Sequence, residues 1–186
     1  MAEAAARLRE ITLDEAARLD PDTEAGEVVE GVWAPVTRNS YRHGEVVGNA
    51  TFLLTGWART HSGWRVAAGD PGTRLGEEPA TLLGPDVAVY REERRPSGRG
   101  RAGWLDGAPE VAVEILGDTQ SMTALLQKGQ RYLGAGALLV WVLDPEAERV
   151  VELSPPNQLR ILGPEETLEA EEVLPDFSCR VAELFV

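Results

Sequence analysis

The chain has 186 residues, of which 43% are hydrophobic and 26% charged, a profile typical of one globular domain with a sizeable core. Its net charge of −13 argues against a protein that coats nucleic acid nonspecifically, because phosphate attraction requires a basic surface. The single cysteine, Cys179, excludes an intrachain disulfide and a thiolate zinc cluster, and two histidines are too few for a histidine-rich metal site.

The beginning of the chain favours helix. A capping box formed by Thr12 and Glu15 predicts a short helix over residues 12–20, ended by Asp20-Pro21. We therefore expect residues 1–25 to be an N-terminal helical arm. No cationic segment followed by a long apolar stretch opens the chain, and no run approaches the roughly 18 apolar residues of a membrane span. A cytoplasmic protein with no membrane partner is expected.

The next two elements are a strand and a long helix. Residues 28–33 predict a strand with a turn or bulge at Gly31. Apolar residues at helical spacing predict an amphipathic helix over residues 41–60, closed by Gly63, which should be the longest helix of the chain. His43 on this helix is interpreted as a residue of its polar face rather than a ligand.

From Trp64 onward the pattern changes to short β-rich segments separated by Gly, Pro and Asp. Strands are predicted at 64–68, 82–90 and 109–116, and the last is apolar enough to be central in a sheet. A helix follows, with Thr119 or Ser121 as its cap and Gly134 or Gly136 as its end.

The C-terminal part is predicted to return to strands. Residues 138–143 predict a buried strand, 149–153 its hairpin partner, and 158–186 short strands or loops with a helical turn at 180–184. The order of elements predicts an α/β fold with a mixed central sheet flanked by helices, forming a single domain over residues 1–186.

Lys128 is the single lysine among 18 basic residues. An ammonium is a compact charge that can sit beside a water or a phosphoryl oxygen, which makes a lone lysine a candidate catalytic residue. At 100° per residue Lys128 lies beside the apolar stripe of its helix, so the ammonium can emerge at the strand edge. The alternative is a leftover surface charge in a chain that favours arginine.

Two carboxylates on neighbouring strand ends suit a hard divalent cation. We expect Asp86 and Glu114 to bind Mg²⁺ or Mn²⁺, with Lys128 orienting the attacking water or stabilising charge in the transition state. Glu114 is the more informative, because ionised burial inside an apolar strand is costly without a partner. The alternatives are a strand cap for Asp86 and a structural ion pair with arginine for Glu114.

A basic segment interrupts the acidic chain. Its arginines are candidates for gripping nucleic-acid phosphates, and a mobile solvated connection is the alternative. They are Arg91, Arg94, Arg95, Arg99 and Arg101. Residues 144–186, by contrast, hold eleven acids against three arginines.

The ordered set of segments resembles the Uma-two family, a large bacterial group abundant in cyanobacteria within the PD-(D/E)-x-K nuclease superfamily. The likeness spans residues 10–186. It rests on Val29-Glu30-Gly31-Val32, Ser40-Tyr41-Arg42-His43, Leu83-Gly84-Pro85-Asp86-Val87-Ala88-Val89, Gly107-Ala108-Pro109-Glu110-Val111-Ala112-Val113-Glu114-Ile115-Leu116, Lys128 with Tyr132 and Ala135-Gly136, Val140-Trp141-Val142-Leu143-Asp144-Pro145, and Val173-Leu174-Pro175-Asp176-Phe177.

The resemblance implies a restriction-endonuclease-like core, a divalent metal site, and a homodimer or higher homo-oligomer. It matches Asp86 and Glu114 to the motif acids, Lys128 to a lysine displaced onto the following helix, and Glu27 to an acid of the first strand. The chain departs from the superfamily at Leu116, where a lysine is usual. It departs from the family at Gly117-Asp118-Thr119, which replaces a Ser-Pro-Ser-like segment ahead of the Lys128 helix.

Three functions remain open from the sequence. The first is a metal-dependent endonuclease that hydrolyses DNA phosphodiester bonds, and the second is a non-catalytic module on the same fold that binds nucleic acid or protein. The third is a phosphohydrolase of a smaller phosphoester, for which the net charge of −13 is less of an obstacle.

Overall fold

A computed structural model of the chain describes residues 9–19, 24–36 and 39–186. Within these ranges the α-helices are α1 (Leu13–Ala16), α2 (Tyr41–Thr60) and α3 (Met122–Gly134). The strands are β1 (Arg9–Glu10), β2 (Gly26–Val29), β3 (Val32–Pro35), β4 (Trp64–Ala68), β5 (Thr73–Glu77), β6 (Ala80–Leu83), β7 (Val87–Arg91), β8 (Leu105–Asp106), β9 (Val111–Ile115), β10 (Leu139–Asp144), β11 (Arg149–Ser154), β12 (Gln158–Leu162), β13 (Thr167–Glu169) and β14 (Ser178–Arg180). Short 3-10 turns cover Glu92–Arg94, Gly100–Gly103 and Val181–Leu184.

The central sheet has the strand order β12-β11-β10-β9-β7-β4 and is mixed, because β9 and β10 run parallel while their outer neighbours pair antiparallel. Alternate residues of β9 face opposite sides of this sheet. Val111, Val113 and Ile115 pack in the core beneath α2, whereas Ala112 faces α3. A mixed sheet with a helix on each face confirms the predicted α/β class.

A second six-stranded sheet, in the order β1-β3-β2-β6-β5-β8, lies beside the central one. The single strand predicted over residues 82–90 is wrong, because the chain leaves this sheet after β6 and enters the central sheet at β7. The break falls at Gly84-Pro85-Asp86, where a side chain on Gly84 would come within 3.0 Å of Asp70. Proline also removes a backbone donor from the ladder. The strands β5 and β8 are absent from the prediction.

The strand predicted over residues 28–33 is a hairpin of β2 and β3. Glu30 and Gly31 form its turn with φ values of 51° and 83°, so the expected turn at Gly31 is confirmed. Helix α2 and strand β4 have the predicted bounds, and Ser121 rather than Thr119 caps α3.

The N-terminal arm differs from the prediction where it is described. The capping box of Thr12 and Glu15 is present, but it opens only the four residues of α1. Ahead of it, Arg9–Glu10 forms β1 and pairs with β3 rather than continuing a helix. Residues 1–8 and the predicted helix end at Asp20-Pro21 lie outside the described residues. No helix in the described ranges combines the length and apolar character needed to cross a membrane.

Candidate active site

Four segments meet where the central sheet joins the second sheet. Asp86 precedes β7, Glu114 lies on β9, Lys128 on α3 and Glu27 on β2, and all four line one cavity of about 270 Å³. Strands β7 and β9 are neighbours in the central sheet, and α3 packs on the face toward which Glu114 points. The fold therefore brings together the four residues that the sequence singled out.

Lys128 is held by three groups, two carboxylates and one backbone carbonyl. Its Nζ lies 2.9 Å from Oε1 of Glu114 and 2.7 Å from Oε1 of Glu27, and it donates to the carbonyl oxygen of Gly84 at 2.8 Å. An ammonium has three hydrogens to donate, so these contacts satisfy it. The side chain is only 15% exposed, so the interpretation of Lys128 as a leftover surface charge is wrong.

Glu114 is buried and bound on both carboxylate oxygens. Oε1 accepts a hydrogen bond from the Tyr132 hydroxyl at 3.0 Å, and Oε2 lies 3.0 Å from Nζ of Lys128. Burial raises the pKa of Glu114 to about 8, since the Lys128 charge offsets only part of that cost and the carboxylate of Asp86 adds to it. The predicted alternative of an ion pair with arginine is wrong, because the partner is lysine.

The same contacts shift the pKa values of the neighbouring groups. Burial opposes the charge on Lys128, but the carboxylates of Glu114 and Glu27 outweigh it and raise the pKa of the ammonium. Burial and the charge of Glu114 also raise the pKa of Tyr132 well above its ordinary value. Lys128 is therefore a cation and Tyr132 a neutral donor over the physiological range.

Asp86 is fixed by one backbone and one side-chain contact. Its Oδ2 accepts from the Ile115 backbone N–H at 2.7 Å, and its Oδ1 lies 3.3 Å from Nε2 of His43. His43 is only 5% exposed, so its interpretation as a polar-face residue is wrong. Burial alone would lower the pKa of His43, but the hydrogen bond with Asp86 and its charge raise it.

Asp70 is a further carboxylate at the site that the sequence analysis missed. It lines the same cavity, and it adopts a left-handed backbone with φ of 55° in the loop after β4. Asp70 is exposed as a residue, but the protein around its carboxyl partly desolvates that group. This desolvation and the negative charge of Asp86 raise the pKa of Asp70. The carboxylates Glu27, Asp70, Asp86 and Glu114 thus face one ammonium.

Of the two missed residues, only His43 had a signal in the sequence, whereas Asp70 is brought to the site by a strand pairing that the structure shows. His43 stands three residues before Val46 and so continues the buried stripe of α2 by one turn. Asp70 follows β4, which pairs antiparallel with β7, so residues 69–70 come to lie beside residues 85–86. The backbone N–H of Gly69 donates to the carbonyl oxygen of Asp86 at 3.1 Å.

The donor set suits a hard cation. Within the described ranges, no group of three or more His, Cys, Asp or Glu side chains forms a preassembled ion site. Magnesium, however, usually takes only one or two carboxylates and keeps several waters. Asp86 and Glu114 could supply those two carboxylates. Burial raises the pKa of Glu114 and the negative charges of Asp86 and Glu27 add to that shift, so an added cation would favour its ionised form.

Asp86 lies just before the first residue of β7, and the basic segment begins at the last residue of that strand, so the two are at opposite ends of β7. Two arginines of the segment make structural contacts. Arg94 binds Glu110 at 2.8 Å and also donates to two backbone carbonyls, while Arg101 binds Asp14 at 2.8 Å and also pairs with Glu77.

Two others keep their charge closer to solvent. The Arg91 guanidinium lies 3.7 Å above the Trp64 ring, and Arg95 lies 3.8 Å from Glu92 with its side chain 63% exposed. Arg99 is also exposed. The five predicted phosphate-binding arginines therefore do not form one free cluster, and Arg95 and Arg99 present the most accessible charge among them.

The chain is similar in structure to a crystal structure of a "putative nuclease belonging to DUF820" from Anabaena variabilis ATCC 29413. The TM-score is 0.82 at 21% sequence identity, and the match covers 94% of this chain and 97% of that one. No curated protein shows a significant sequence match. The model of the Uma2 family, described as "Putative restriction endonuclease", matches residues 13–182. With this match over most of its length, and with a nuclease-like fold, the chain belongs to the Uma2 family.

Proposed function

We propose that the chain hydrolyses phosphodiester bonds of DNA and depends on Mg²⁺ or Mn²⁺. The observation that carries this proposal is the convergence of acidic side chains with the single lysine in one cavity at the junction of the two sheets. Buried carboxylates of like charge are costly unless a cation shares the site.

Asp86 and Glu114 would hold the ion. Bound there, a divalent cation polarises a phosphoryl oxygen and lowers the pKa of a water ligand. Contacts within the protein already fix the position of both carboxylates. Ile115 and His43 hold Asp86, and Tyr132 holds Glu114. Asp70, which is exposed and lines the same cavity, adds negative charge that favours a cation.

Lys128 would stabilise charge rather than accept a proton. Its raised pKa keeps it protonated, which excludes general-base work at neutral pH but suits an ammonium beside developing phosphoryl negative charge. Glu27 and the carbonyl of Gly84 direct the ammonium from the side of the second sheet. Glu27 is thus assigned a positioning role.

The experiment is cleavage of supercoiled plasmid and of a short labelled duplex, with Mg²⁺, with Mn²⁺ and with a chelator. We expect metal-dependent cleavage that Asp86→Asn, Glu114→Gln and Lys128→Gln each reduce by about 100-fold or more. Glu172→Gln, which changes an exposed carboxyl in the C-terminal segment, is the matched control and should leave the rate unchanged. Cleavage that survives all three site variants would contradict the proposal.

One observation favours a second candidate, a non-catalytic binding module. Both oxygens of Glu114 are already bound by Lys128 and Tyr132, so the site balances part of its charge without an ion. This candidate predicts duplex binding with no cleavage in any metal and no change of affinity in Asp86→Asn. Hydrolysis of bis(p-nitrophenyl) phosphate in the absence of DNA cleavage would instead favour a smaller phosphoester as substrate.

A further inference from the structure

A second cavity, of about 520 Å³, adjoins the candidate active site. Glu27 and Asp70 line both cavities. Gly84, whose carbonyl accepts from Lys128 at 2.8 Å, also lines the second one. Its volume lies in the range of pockets that bind small organic groups. A molecule held at the active site can therefore extend into this second cavity.

Two tryptophans line this second cavity, which is named the tryptophan cavity. Trp33 lies on β3 and Trp104 immediately before β8, and both are half-buried. A glycine lies against each ring, because a Cβ on Gly26 would come 2.5 Å from the Trp33 ring and one on Gly72 would overlap the Trp104 ring. Both rings are thus packed against backbone in the protein alone, so little side-chain freedom is lost when a ligand stacks on them.

The charged side chains that line the tryptophan cavity in the described part of the chain are all acidic, namely Glu24, Glu27 and Asp70. They would repel a phosphate or a carboxylate. An uncharged nucleobase fits this lining, because its face stacks on an indole and its amino group can donate to a carboxylate. We propose that the tryptophan cavity binds one unpaired base of the DNA strand whose phosphate lies at the active site, an inference that rests on the proposed function.

This assignment narrows the substrate class. A base within a duplex is stacked and paired, so it can enter a cavity only after leaving the helix, which costs least where the base is already unpaired. The chain should therefore favour single-stranded or locally unpaired DNA over a fully paired duplex. Stacking also provides an attraction that does not require a basic surface, which suits a chain with a net charge of −13.

The test is fluorescence anisotropy of three labelled duplexes that differ at one position: fully paired, with one unpaired cytosine, and with an abasic residue in place of that cytosine. Ca²⁺ replaces Mg²⁺ as the oxygen-bound cation, and a denaturing gel verifies that the probes stay intact. We expect the cytosine probe to bind about tenfold more tightly than either of the others. The abasic probe shares the flexibility of the bulge, so equal affinity of the cytosine and abasic probes would overturn the proposal.

Variants of the two tryptophans test where the base binds. Trp33→Leu and Trp104→Leu keep an apolar side chain but remove the aromatic face, so each should lower affinity for the cytosine probe about fivefold or more and leave the abasic probe unchanged. Trp33→Phe and Trp104→Phe keep an aromatic face and should retain most of the affinity. Circular dichroism verifies the fold of each variant.

The matched control is Phe52→Leu, which changes an aromatic side chain that is 77% exposed on α2, away from the tryptophan cavity. It should leave the affinity for all three probes unchanged. An equal loss of affinity in this control, or leucine variants that weaken the cytosine and abasic probes alike, would contradict stacking in the tryptophan cavity.

Plasmid cleavage separates this inference from the proposed function. Metal-dependent cleavage that Asp86→Asn abolishes, combined with no preference for the cytosine probe, would leave the proposed function standing and overturn the base site. A preference for the cytosine probe that both leucine variants lose, combined with no cleavage in Mg²⁺ or Mn²⁺, would support the base site and contradict hydrolysis.

Discussion

Lys128 and Glu114 form a buried ion pair in the cavity, and the proposed chemistry depends on both. Both side chains are almost withdrawn from water, and each would be costly to bury alone. Their contacts with Glu27, Tyr132 and the Gly84 carbonyl leave neither group without a partner. Removal of either Lys128 or Glu114 therefore leaves the other without its closest charge partner in a poorly solvated place.

Lys128 should resist amine-specific acylation in the folded protein. It is the only lysine, so peptide mass spectrometry after labelling with an N-hydroxysuccinimide ester reports on a single side chain. We expect reaction at the N-terminal amine but at least tenfold slower reaction at Lys128 than in the urea-unfolded chain, because an ammonium with a raised pKa presents little free amine. Equal rates in the folded and unfolded chain would show that the ion pairs are not formed in solution.

Glu114 should make the fold less stable as pH rises. Below about pH 4.5 its carboxyl is protonated in both the folded and unfolded states, but between about 4.5 and about 8 the unfolded chain loses a proton that the folded chain retains. The free energy of unfolding contributed by this group therefore falls through that window, by an amount on the order of a few kcal/mol.

Urea denaturation of the metal-free protein between pH 5 and pH 8.5 measures this effect. Glu114→Gln keeps the shape of the side chain and removes its titration, so the variant should lose less stability than the wild type across the same window. A parallel pH dependence in the two proteins would contradict the assignment.

At the scale of elements, α3 determines where the ammonium lies. The helix packs closely on the central sheet at Gly129, where an added Cβ would come within 2.7 Å of Leu153 and 3.2 Å of Val140. Lys128 is the neighbouring residue, so the depth at which α3 packs fixes how far its side chain must reach to Glu114 and Glu27.

Gly129→Leu should therefore move α3 outward and disturb the site. We expect a loss of about 1–3 kcal/mol in the free energy of unfolding, as is usual for overpacking, together with weaker Mn²⁺ binding in calorimetry. Gly134→Ala on the same helix is the control, because an added Cβ there meets nothing within 4 Å in the described part of the chain. It should be neutral or slightly stabilising, since alanine favours helix over glycine. Equal effects of the two changes would refute close packing at Gly129.

At the scale of the whole molecule, the distribution of charge determines where a nucleic acid could bind. A net charge of −13 repels nucleic acid, and the candidate site itself is acidic, so the proposed binding of DNA would require a bound cation and the local basic segment. Arg94 and Arg101 are held in contacts within the chain and Arg91 stacks on the Trp64 ring, which leaves Arg95 and Arg99 as the accessible pair.

Arg95→Gln with Arg99→Gln should weaken duplex binding in the presence of Mn²⁺ by roughly tenfold at low salt. Two lost phosphate contacts should also reduce the slope of log affinity against log salt by about two. Glu93→Gln, which removes an exposed acid from the same segment, should change affinity in the opposite direction. Fluorescence anisotropy of a labelled duplex measures all three proteins, and an unaltered salt dependence would remove the segment from the interface.

The elements that the sequence predicts well are those specified by local patterns. Helix α2 follows from its apolar periodicity and strand β4 from its flanking breakers, and both have the expected bounds. The class of fold and the set of Asp86, Glu114 and Lys128 were also within reach, because carboxylates beside or within apolar strands and an isolated lysine are visible one residue at a time. Glu27 entered the set only through the family resemblance. The family resemblance added their order.

What the tertiary structure alone decided concerns pairing between distant segments. The split of residues 82–90 between two sheets depends on which strand each half pairs with, and that choice is made by packing rather than by local preference. The same holds for His43 beside Asp86 and for the arginines fixed within the chain, because a charged or polar side chain carries no local record of its partner. Sequence therefore determined which groups are available, and long-range contacts determined which of them meet.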